Sequence, residues 1–493
     1  MRRLTGLDAS FLHLETPTMH MHVVAMLVLD TTSMPGGYRF EVLRDTFANQ
    51  ARRVRLMRSR LMEVPFELGQ PVWAEEADID VDKHVKRLVL TGDTSWDAAE
   101  RAVGEIAGRA LDRSRPLWEY TLIEGLDDGR VVFVAKLHHS IVDGVSGANV
   151  MAKLYTADAG ASDKPAAVRE VEPPPSRWNL FTDAVAEQAR WPQKVAKAIP
   201  EVVSGAAGLV GSLRDRSGGE PSRGRASSGV GAPRTSFNGT LSALRCVATG
   251  GVALDEVKAI KDSLNARREA IDAERAPVRL NDVALALCAG AVRRYLDDRG
   301  ELPNRPLTVA CPVSVHGDQR AADVGGVNRL AAMFVTLPVH LADPFERIEA
   351  VRTSSSGARA TLDSIGGHQM MVLANLVAPW ALRAGSHLYS QFKLADHHPV
   401  VANLVLSNVA GPQFDLFLGG AKVERIHPFG PLLEGSGINL TVLSYGGLLG
   451  VGFMACPKLV PEPRSLVDAF YAEHASLCEA THVPMASASR PAS

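Results

Sequence analysis

Lys136-Leu-His-His-Ser-Ile-Val-Asp-Gly-Val-Ser-Gly147 is the stretch on which the interpretation of this chain depends. It contains His138, His139, Asp143 and Gly144 in the order His-His-x-x-x-Asp-Gly. An imidazole exchanges a proton near neutral pH, and a nearby carboxylate can hold the ring or the loop around it. The stretch therefore predicts acid–base chemistry.

The residues before this motif predict a β-hairpin. Val131–Leu137 and Trp118–Leu126 are apolar, β-rich runs, and Asp127-Asp-Gly129 between them is a turn signal. The histidines should then lie where a rigid strand gives way to a loop, which is a frequent position for catalytic groups. Acyl transfer is the leading hypothesis at this point.

Bulk composition excludes several classes of protein. The 493 residues exceed one ordinary hydrophobic core and predict two domains, and 46% apolar with 22% charged residues is typical of a globular protein. A net charge of -2 gives no reason to expect a nucleic-acid partner. Arginines crowd the segment 52–60, either as a solvated helix face or as a surface for anionic lipid or phosphate.

Cysteine spacing and the amino terminus indicate the compartment. The five cysteines are scattered without a C-x-x-C pair, which favours free thiols in a reducing compartment and argues against a zinc site. No secretory signal follows Met1, and no run of about 18 apolar residues could span a bilayer. We therefore expect a cytoplasmic protein that is not secreted and touches membrane only peripherally.

Both halves of the chain mix helix and strand signals, which predicts an α/β fold of two similarly built domains. The predicted boundaries are an amino-terminal domain over 1–170, a linker over 171–234, a carboxy-terminal domain over 235–483 and a disordered tail over 484–493. The linker contains a Gly-, Ser- and Arg-rich flexible loop at 215–232. A helical candidate before that loop either crosses between the domains or lies on lipid.

The second half contains one clear helix and several strands. Leu280–Arg294 reads as a buried helix, with Asn281 or Asp282 placed to cap it. The predicted strands are Leu307–Val315, Met333–Val339 and Ala402–Ser407, followed by a hairpin of Leu440–Tyr445 and Leu448–Ala455.

An iron site is an alternative interpretation of the two histidines. Two His and one Asp can form an iron site, but adjacent residues of an extended strand point to opposite faces, so no metal is predicted. Asp396-His-His-Pro399 provides an internal comparison without the following Asp-Gly, and His397 and His398 are interpreted as surface or packing residues. The chain has no G-x-S-x-G elbow, so a covalent serine mechanism has no support.

Taken together, the motifs resemble the bacterial wax ester synthase/diacylglycerol acyltransferase family over nearly the whole chain. The matching segments are Leu7-Asp-Ala-Ser-Phe-Leu12, Pro116-Leu-Trp118, His138–Gly144, Asn281–Ala286, Pro312-Val-Ser314, Ser407–Pro412 and the terminal hairpin. The His-His motif alone is shared with other chloramphenicol acetyltransferase-like enzymes, including condensation domains. The linker does not match.

The resemblance implies two chloramphenicol acetyltransferase-like domains around a central tunnel, a long-chain acyl-CoA donor and a diacylglycerol or fatty alcohol acceptor. By the same resemblance, His139 is the general base and Asp143 organises the loop, while His138 has a less defined role. Gly144 permits a turn and close approach of backbone to substrate. Acyl-CoA is a substrate, so the family implies no bound cofactor and no metal.

Other residues of the matching segments are weaker candidates. Asn281 is expected to cap a helix or brace the domains, together with Asp282, and Ser314 and Asn408 are candidate substrate-binding residues. Met370–Leu382 is apolar and reads as a core helix or as an interfacial segment, in which Trp380 would suit a lipid headgroup boundary. A peripheral membrane or a lipid droplet is the partner that the second interpretation implies.

The leading hypothesis is therefore triacylglycerol synthesis from acyl-CoA and diacylglycerol. Three alternatives stay open: wax ester synthesis from a fatty alcohol, transfer from a carrier-protein thioester supplied in trans, and a catalytically weak lipid-binding or lipid-droplet protein. The intact motif argues against the last of these, because binding alone does not require it.

Overall fold

The structure is a computed structural model that describes residues 2–141, 155–156, 158, 171, 173–190, 193, 231–270, 276–314, 330–365 and 378–485. Its strands are β1 (Arg2–Arg3), β2 (His22–Asp30), β3 (Ser59–Met62), β4 (Val72–Glu75), β5 (Val85–Val89), β6 (Trp118–Glu124), β7 (Val131–His138), β8 (Cys246–Ala253), β9 (Leu307–Ser314), β10 (Leu330–Leu337), β11 (Leu404–Ala410), β12 (Phe417–Leu418), β13 (Ala421–Phe429), β14 (Ile438–Tyr445) and β15 (Leu448–Ala455).

The α-helices complete the two halves. They are α1 (Gly6–Leu14), α2 (Phe40–Arg53), α3 (Trp96–Ala107), α4 (Arg177–Ala189), α5 (Leu254–Glu269), α6 (Leu280–Asp297), α7 (Pro344–Ile365), α8 (Pro379–Gln391) and α9 (Arg464–Thr481). Among the residues that the structure describes, no helix is long and apolar enough to cross a membrane.

The amino-terminal half is built on a six-stranded sheet of order β12-β13-β2-β7-β6-β5. The predicted hairpin is confirmed: β6 and β7 pair antiparallel, with Trp118 opposite Leu137, and Gly129 takes a positive φ of 74° in the turn. Every residue of β7 is buried, because the strand lies between β2 and β6 and is covered on both faces. This position makes the end of β7 a rigid platform.

The carboxy-terminal half is built on a second six-stranded sheet of order β10-β9-β11-β14-β15-β8. Its predicted elements are present: helix α6 spans the predicted apolar segment, and β14 and β15 form the predicted hairpin with positive φ at Gly446 and Gly447. Apolar residues of α6, α9 and the sheet form one buried core. The mixed α/β class predicted from the sequence is confirmed.

The sheets do not divide at the predicted domain boundary. β13, which lies within the predicted carboxy-terminal domain at 235–483, pairs antiparallel with β2, and β12 extends the same sheet. The carboxy-terminal half thus contributes two strands to the amino-terminal sheet. The predicted linker helix is present as α4, whereas its continuation beyond residue 193 and the loop at 215–232 lie outside the described residues.

Glycines allow close contact where the two six-stranded sheets meet. A side chain at Gly452 would lie 2.2 Å from the carbonyl oxygen of Pro428 on β13, and one at Gly450 would lie 2.7 Å from that of Ile426. These two glycines of β15 therefore permit the backbone of β13 to approach directly. Contact between the two sheets is dense on this side of the molecule.

Candidate active site

The end of β7 places two histidines in different surroundings. His138 is the last residue of the strand, and its backbone N–H donates to the Leu117 carbonyl at 3.0 Å. His139 begins a short 3-10 turn, and its backbone N–H donates to the Met21 carbonyl at 2.8 Å. The backbone of both residues is therefore fixed by neighbouring chain segments, as expected where a buried strand ends.

The His138 side chain is enclosed, and both of its ring nitrogens face polar groups of the protein. It is 1% exposed, and its Nδ1 accepts the backbone N–H of Ser140 at 3.0 Å, with the Ser140 hydroxyl 2.7 Å away. Because Nδ1 accepts a hydrogen bond, the proton of the neutral ring is on Nε2, which faces Glu15 Oε1 at 3.4 Å. His138 therefore has no lone pair left for a substrate hydroxyl.

The His139 ring is held differently. It stacks on the Phe11 ring of α1, with centroids 4.2 Å apart and planes inclined by 11°. The residue is half-buried, whereas the residues on either side of it are buried. Helix α1 is fixed in turn at its start, where the Thr5 hydroxyl accepts the Asp8 backbone N–H at 3.1 Å. The helix thus orients the more accessible of the two imidazoles.

Glu15, which follows α1, is the charged centre beneath the site. Its Oε1 accepts the Met21 backbone N–H at 3.0 Å and lies 3.3 Å from His22 Nε2 and 3.4 Å from His138 Nε2. Its Oε2 accepts from the Arg113 guanidinium at 2.7 Å. One carboxylate therefore connects the α1 end, β2, β7 and the segment before β6.

The charge states in this cluster follow from burial and contact. Burial alone favours the neutral acid, but hydrogen bonds with His138 and His22 outweigh it and hold the pKa of Glu15 far below its usual range. Burial lowers the pKa of His22 to about 3, so this ring stays neutral. His20 stacks on His22 with centroids 5.4 Å apart, and its Nε2 donates to the Gly108 carbonyl at 3.1 Å.

Lys136 lies on the same face of β7 as His138 and secures the strand further back along the chain. Its ammonium is buried and donates to the carbonyl oxygens of Ile106, at 2.8 Å, and Arg109. Ile106 is in the last turn of α3, where a cation complements the helix dipole. Burial lowers the pKa of Lys136 to about 8. This lysine fixes β7 against α3 two residues before His138.

The candidates of the second half form a separate group. The Asn408 side-chain amide on β11 donates to Asn281 Oδ1 on α6 at 2.8 Å, so these two predicted residues do meet. Asp282, and not Asn281, caps α6: its carboxylate accepts the Arg279 backbone N–H at 2.9 Å and the Ser355 hydroxyl at 3.0 Å. The bond joins two elements of the carboxy-terminal half, and the domain-bracing role of Asn281 stays a prediction.

Of the remaining predicted site residues, the structure places the backbone of Ser314 but not Asp143 or Gly144. Ser314 is the last residue of β9, where its backbone pairs with Leu330. Because β9 and β11 run parallel, Ser314 and Asn408 both lie toward the same end of the second sheet. Asp143 and Gly144 lie outside the described residues.

Sequence reasoning missed three residues of this site. Phe11 and Glu15 lie in and just after a matching segment, but the spacing of that segment does not indicate which side chain reaches the motif. His22 stands directly opposite His138 across the β2–β7 ladder. The pattern His20-x-His22 at the start of β2 was the available signal, since alternate residues of a strand share a face.

Two family profiles match most of this chain. The profile of the wax ester synthase/diacylglycerol acyltransferase catalytic domain matches residues 4–267, and that of the family's C-terminal domain matches residues 327–477. Two Mycobacterium tuberculosis proteins, both provisionally named diacylglycerol O-acyltransferases, are similar. One is 33% identical over 483 residues, covering 95% of this chain and 89% of its own, and the other is 30% identical over 477 residues, covering 96% and 95%.

Solved structures show the same architecture. The wax ester synthase/diacylglycerol acyltransferase from Marinobacter aquaeolei VT8 superposes with a TM-score of 0.65 at 23% identity, covering 97% of this chain and 100% of its own. The first condensation domain of the calcium-dependent antibiotic synthetase gives a TM-score of 0.54 at 17% identity, covering 99% and 97%. At these identities the likeness concerns the fold alone.

The two mixed sheets and these structural likenesses define a protein with the chloramphenicol acetyltransferase-like fold. Within that class, the two family profiles and the relatives at 30% identity or more identify one family. The chain belongs to the wax ester synthase/diacylglycerol acyltransferase family, a family of acyltransferases. The resemblance inferred from the sequence is confirmed.

Proposed function

We propose that this protein transfers a long-chain acyl group from a coenzyme A thioester to the hydroxyl of diacylglycerol, forming triacylglycerol, with His139 as the general base. The observation that carries the proposal is the fixed position of His139 at the end of β7, stacked on Phe11 and more accessible than His138. The family supplies the reaction class. The relatives named for diacylglycerol acyl transfer supply the acceptor.

The contrast between the two histidines supports different roles for them. His138 Nε2 faces Glu15 and its Nδ1 accepts from Ser140, so both of its ring nitrogens face protein. It is suited to fix the strand end and the start of the loop. His139 is more exposed than His138, which favours it as the residue that meets a substrate. The expectation that Asp143 organises the loop stays a prediction, as does the central tunnel.

The proposed reaction needs one base and no covalent enzyme intermediate. His139 removes the proton of the acceptor hydroxyl as its oxygen attacks the thioester carbonyl, and the resulting tetrahedral intermediate expels the coenzyme A thiolate. The protonated imidazole then returns that proton to the thiolate. A thioester already has a good leaving group, so positioning and proton transfer suffice. No bound cofactor enters this scheme, since acyl-CoA is consumed as a substrate.

Product identification tests the acceptor. Radiolabelled palmitoyl-CoA is supplied with diolein in one arm and with hexadecanol in the other, and the lipids are separated by thin-layer chromatography. We expect label in triacylglycerol at a higher rate than in wax ester. Label in wax ester alone would replace diacylglycerol by a fatty alcohol as the acceptor. Coenzyme A release without either lipid product would overturn the acyl-transfer proposal.

One face of α8 supports contact with a lipid surface. Trp380 and Leu388 are 56% and 50% exposed, and Phe392 directly after the helix is 61% exposed. With the exposed Ala384 they recur every four residues and form a continuous apolar stripe, which we call the α8 stripe. The sequence of α8 contains no acidic residue, and Lys393 follows it, so an anionic lipid surface suits its charge.

The α8 stripe is close in structure to the proposed base. On another side of α8, the Ser386 hydroxyl donates to the His13 carbonyl of α1 at 2.9 Å, and α1 carries Phe11 against His139. We propose that this stripe rests on the cytoplasmic surface of a membrane or lipid droplet. The acceptor lipid would then be present near the site.

A flotation assay tests the lipid contact. Leu388→Glu with Phe392→Glu should abolish flotation with vesicles containing phosphatidylglycerol, while Leu244→Glu, at a leucine that is 67% exposed elsewhere, should float like the wild type. Far-UV circular dichroism checks that each variant is folded. Unchanged flotation of the double variant would refute the α8 stripe as the docking face.

A further inference from the structure

Three potential metal ligands lie together far from the motif in sequence. Glu256 on α5 and His474 and Cys478 on α9 each present one ligand atom, and these three atoms lie within 4.8 Å of one another. His474 and Cys478 are four residues apart, so they occupy the same face of α9. The sequence alone predicts no zinc site. The usual signal is a C-x-x-C pair, whereas these residues come from two separate helices.

The distances within this group match those of a tetrahedral ion. His474 Nε2 lies 3.3 Å from Glu256 Oε2 and 3.5 Å from Cys478 Sγ. Zinc bonds of about 2.0 Å to nitrogen and oxygen and about 2.3 Å to sulfur, at tetrahedral angles, separate nitrogen from oxygen by about 3.3 Å and nitrogen from sulfur by about 3.5 Å. The two separations that involve His474 already have these values.

The surroundings also suit a bound cation. The His474 side chain is 6% exposed and that of Glu256 is 11% exposed, while Cys478 is 1% exposed. A single nitrogen, Nε2, faces both a carboxylate oxygen and a sulfur. One nitrogen has only one proton or one lone pair in that direction, so it can make one well-directed hydrogen bond and not two. An ion placed between the three atoms would satisfy all of them at once.

We propose that Glu256, His474 and Cys478 form a binding site for a divalent zinc-type cation. The mixed set of one oxygen, one nitrogen and one sulfur is that of a borderline ion such as Zn²⁺ and not of Mg²⁺ or Ca²⁺, which prefer oxygen. Cys478 binds as thiolate, so its proton passes to solvent as the ion enters. These three ligands leave one vertex of the tetrahedron for a water molecule.

Such an ion would join α5 to the last helix of the fold. α9 packs against α6 and the second sheet, and its Glu473 pairs with Arg347 in the buried core. A cation at the next residue along α9 would therefore tie α5 to an already rigid element. The site is independent of the acyl-transfer proposal, and its expected effect is on stability.

Zinc binding by the full chain is the direct test. The protein is stripped with chelator, dialysed against Zn²⁺, and its metal content is measured by inductively coupled plasma mass spectrometry. We expect one zinc ion per chain in the wild type and in Cys288→Ala, which removes a buried thiol of α6 away from the group. Cys478→Ala should retain less than a tenth of that zinc.

Two further readouts keep the test decisive if Cys478→Ala fails to fold. Glu256→Gln, at a partly exposed position, should lower zinc affinity while leaving the circular dichroism unchanged. Co²⁺ should give a thiolate-to-cobalt charge-transfer band in the wild type that Cys478→Ser lacks. A wild type without bound zinc, or equal zinc in wild type and Glu256→Gln, would show that the three side chains only contact one another.

Discussion

Replacement of Glu15 by Gln tests the buried charge beneath the site. The amide keeps the size of the side chain and an acceptor for the Met21 backbone N–H, but it loses the negative charge that faces Arg113 at 2.7 Å, His22 at 3.3 Å and His138 at 3.4 Å. Hydrogen bonds to charged groups contribute about 1.5–3 kcal/mol each. Arg113 is 29% exposed, so water replaces part of what its guanidinium loses.

We therefore expect the free energy of unfolding of Glu15→Gln to be about 2–3 kcal/mol lower than that of the wild type at pH 7. Urea denaturation followed by tryptophan fluorescence measures the difference. Glu63→Gln is the matched control, because Glu63 faces the same Arg113 at 3.5 Å but is 54% exposed. It should lie within about 0.5 kcal/mol of the wild type.

The pH dependence of this difference has a definite sign. The pKa of Glu15 is depressed in the folded state, so its contribution is complete above the ordinary carboxyl pKa of 4.5 and declines as the unfolded chain takes up a proton below it. At pH 4 the difference between wild type and Glu15→Gln should be about 0.8 kcal/mol smaller than at pH 7. Equal stability at pH 7, or a difference that grows on acidification, would refute the assigned charge.

Two further predictions concern packing and the second group of polar residues. Gly290→Ala should destabilise the protein by about 1–3 kcal/mol or more in urea denaturation, because the new Cβ would lie 2.0 Å from the Glu473 carboxyl carbon. Gly357→Ala in α7 should instead stabilise the protein by about 0.4–1 kcal/mol, because the new Cβ would have no atom within 4 Å. If both variants lost similar amounts of stability, the packing argument would be contradicted. Alanine at Asn281 and Asn408, singly and together, should give a coupling energy of about 0.5–1.5 kcal/mol in a double-mutant cycle, since their side chains share a 2.8 Å hydrogen bond. Additive losses in the free energy of unfolding would show that the two side chains are not coupled.

Local patterns predicted the elements that depend on local physics. Turn residues at Asp127–Gly129 and the unbroken apolar run of β7 were enough to predict the hairpin and the strand end at His138. The apolar helix α6 and its cap at Asp282 were predictable for the same reason. Each of these features is fixed by residues that are close together in the chain.

Features that depend on contacts between distant segments of the chain could not be predicted from the sequence. Glu15 reaches His138 across more than a hundred residues, and no periodicity indicates that pairing. β13 is an ordinary strand by its pattern, yet it joins the sheet of the other half, because strand propensity does not specify the partner. The contact of Cys478 with His474 and Glu256 likewise depends on how α5 packs on α9.

Coenzyme A release tests whether His139 is the base of the proposed acyl transfer. Coenzyme A release from palmitoyl-CoA with diolein is followed with a thiol reagent for the wild type, His139→Ala and His397→Ala, the last of which alters an exposed member of the other His-His pair. A general base contributes about 10²–10⁴ in rate, so diolein-dependent release should fall by that factor in His139→Ala and stay unchanged in His397→Ala. Equal release by the wild type and a folded His139→Ala would contradict this role of His139.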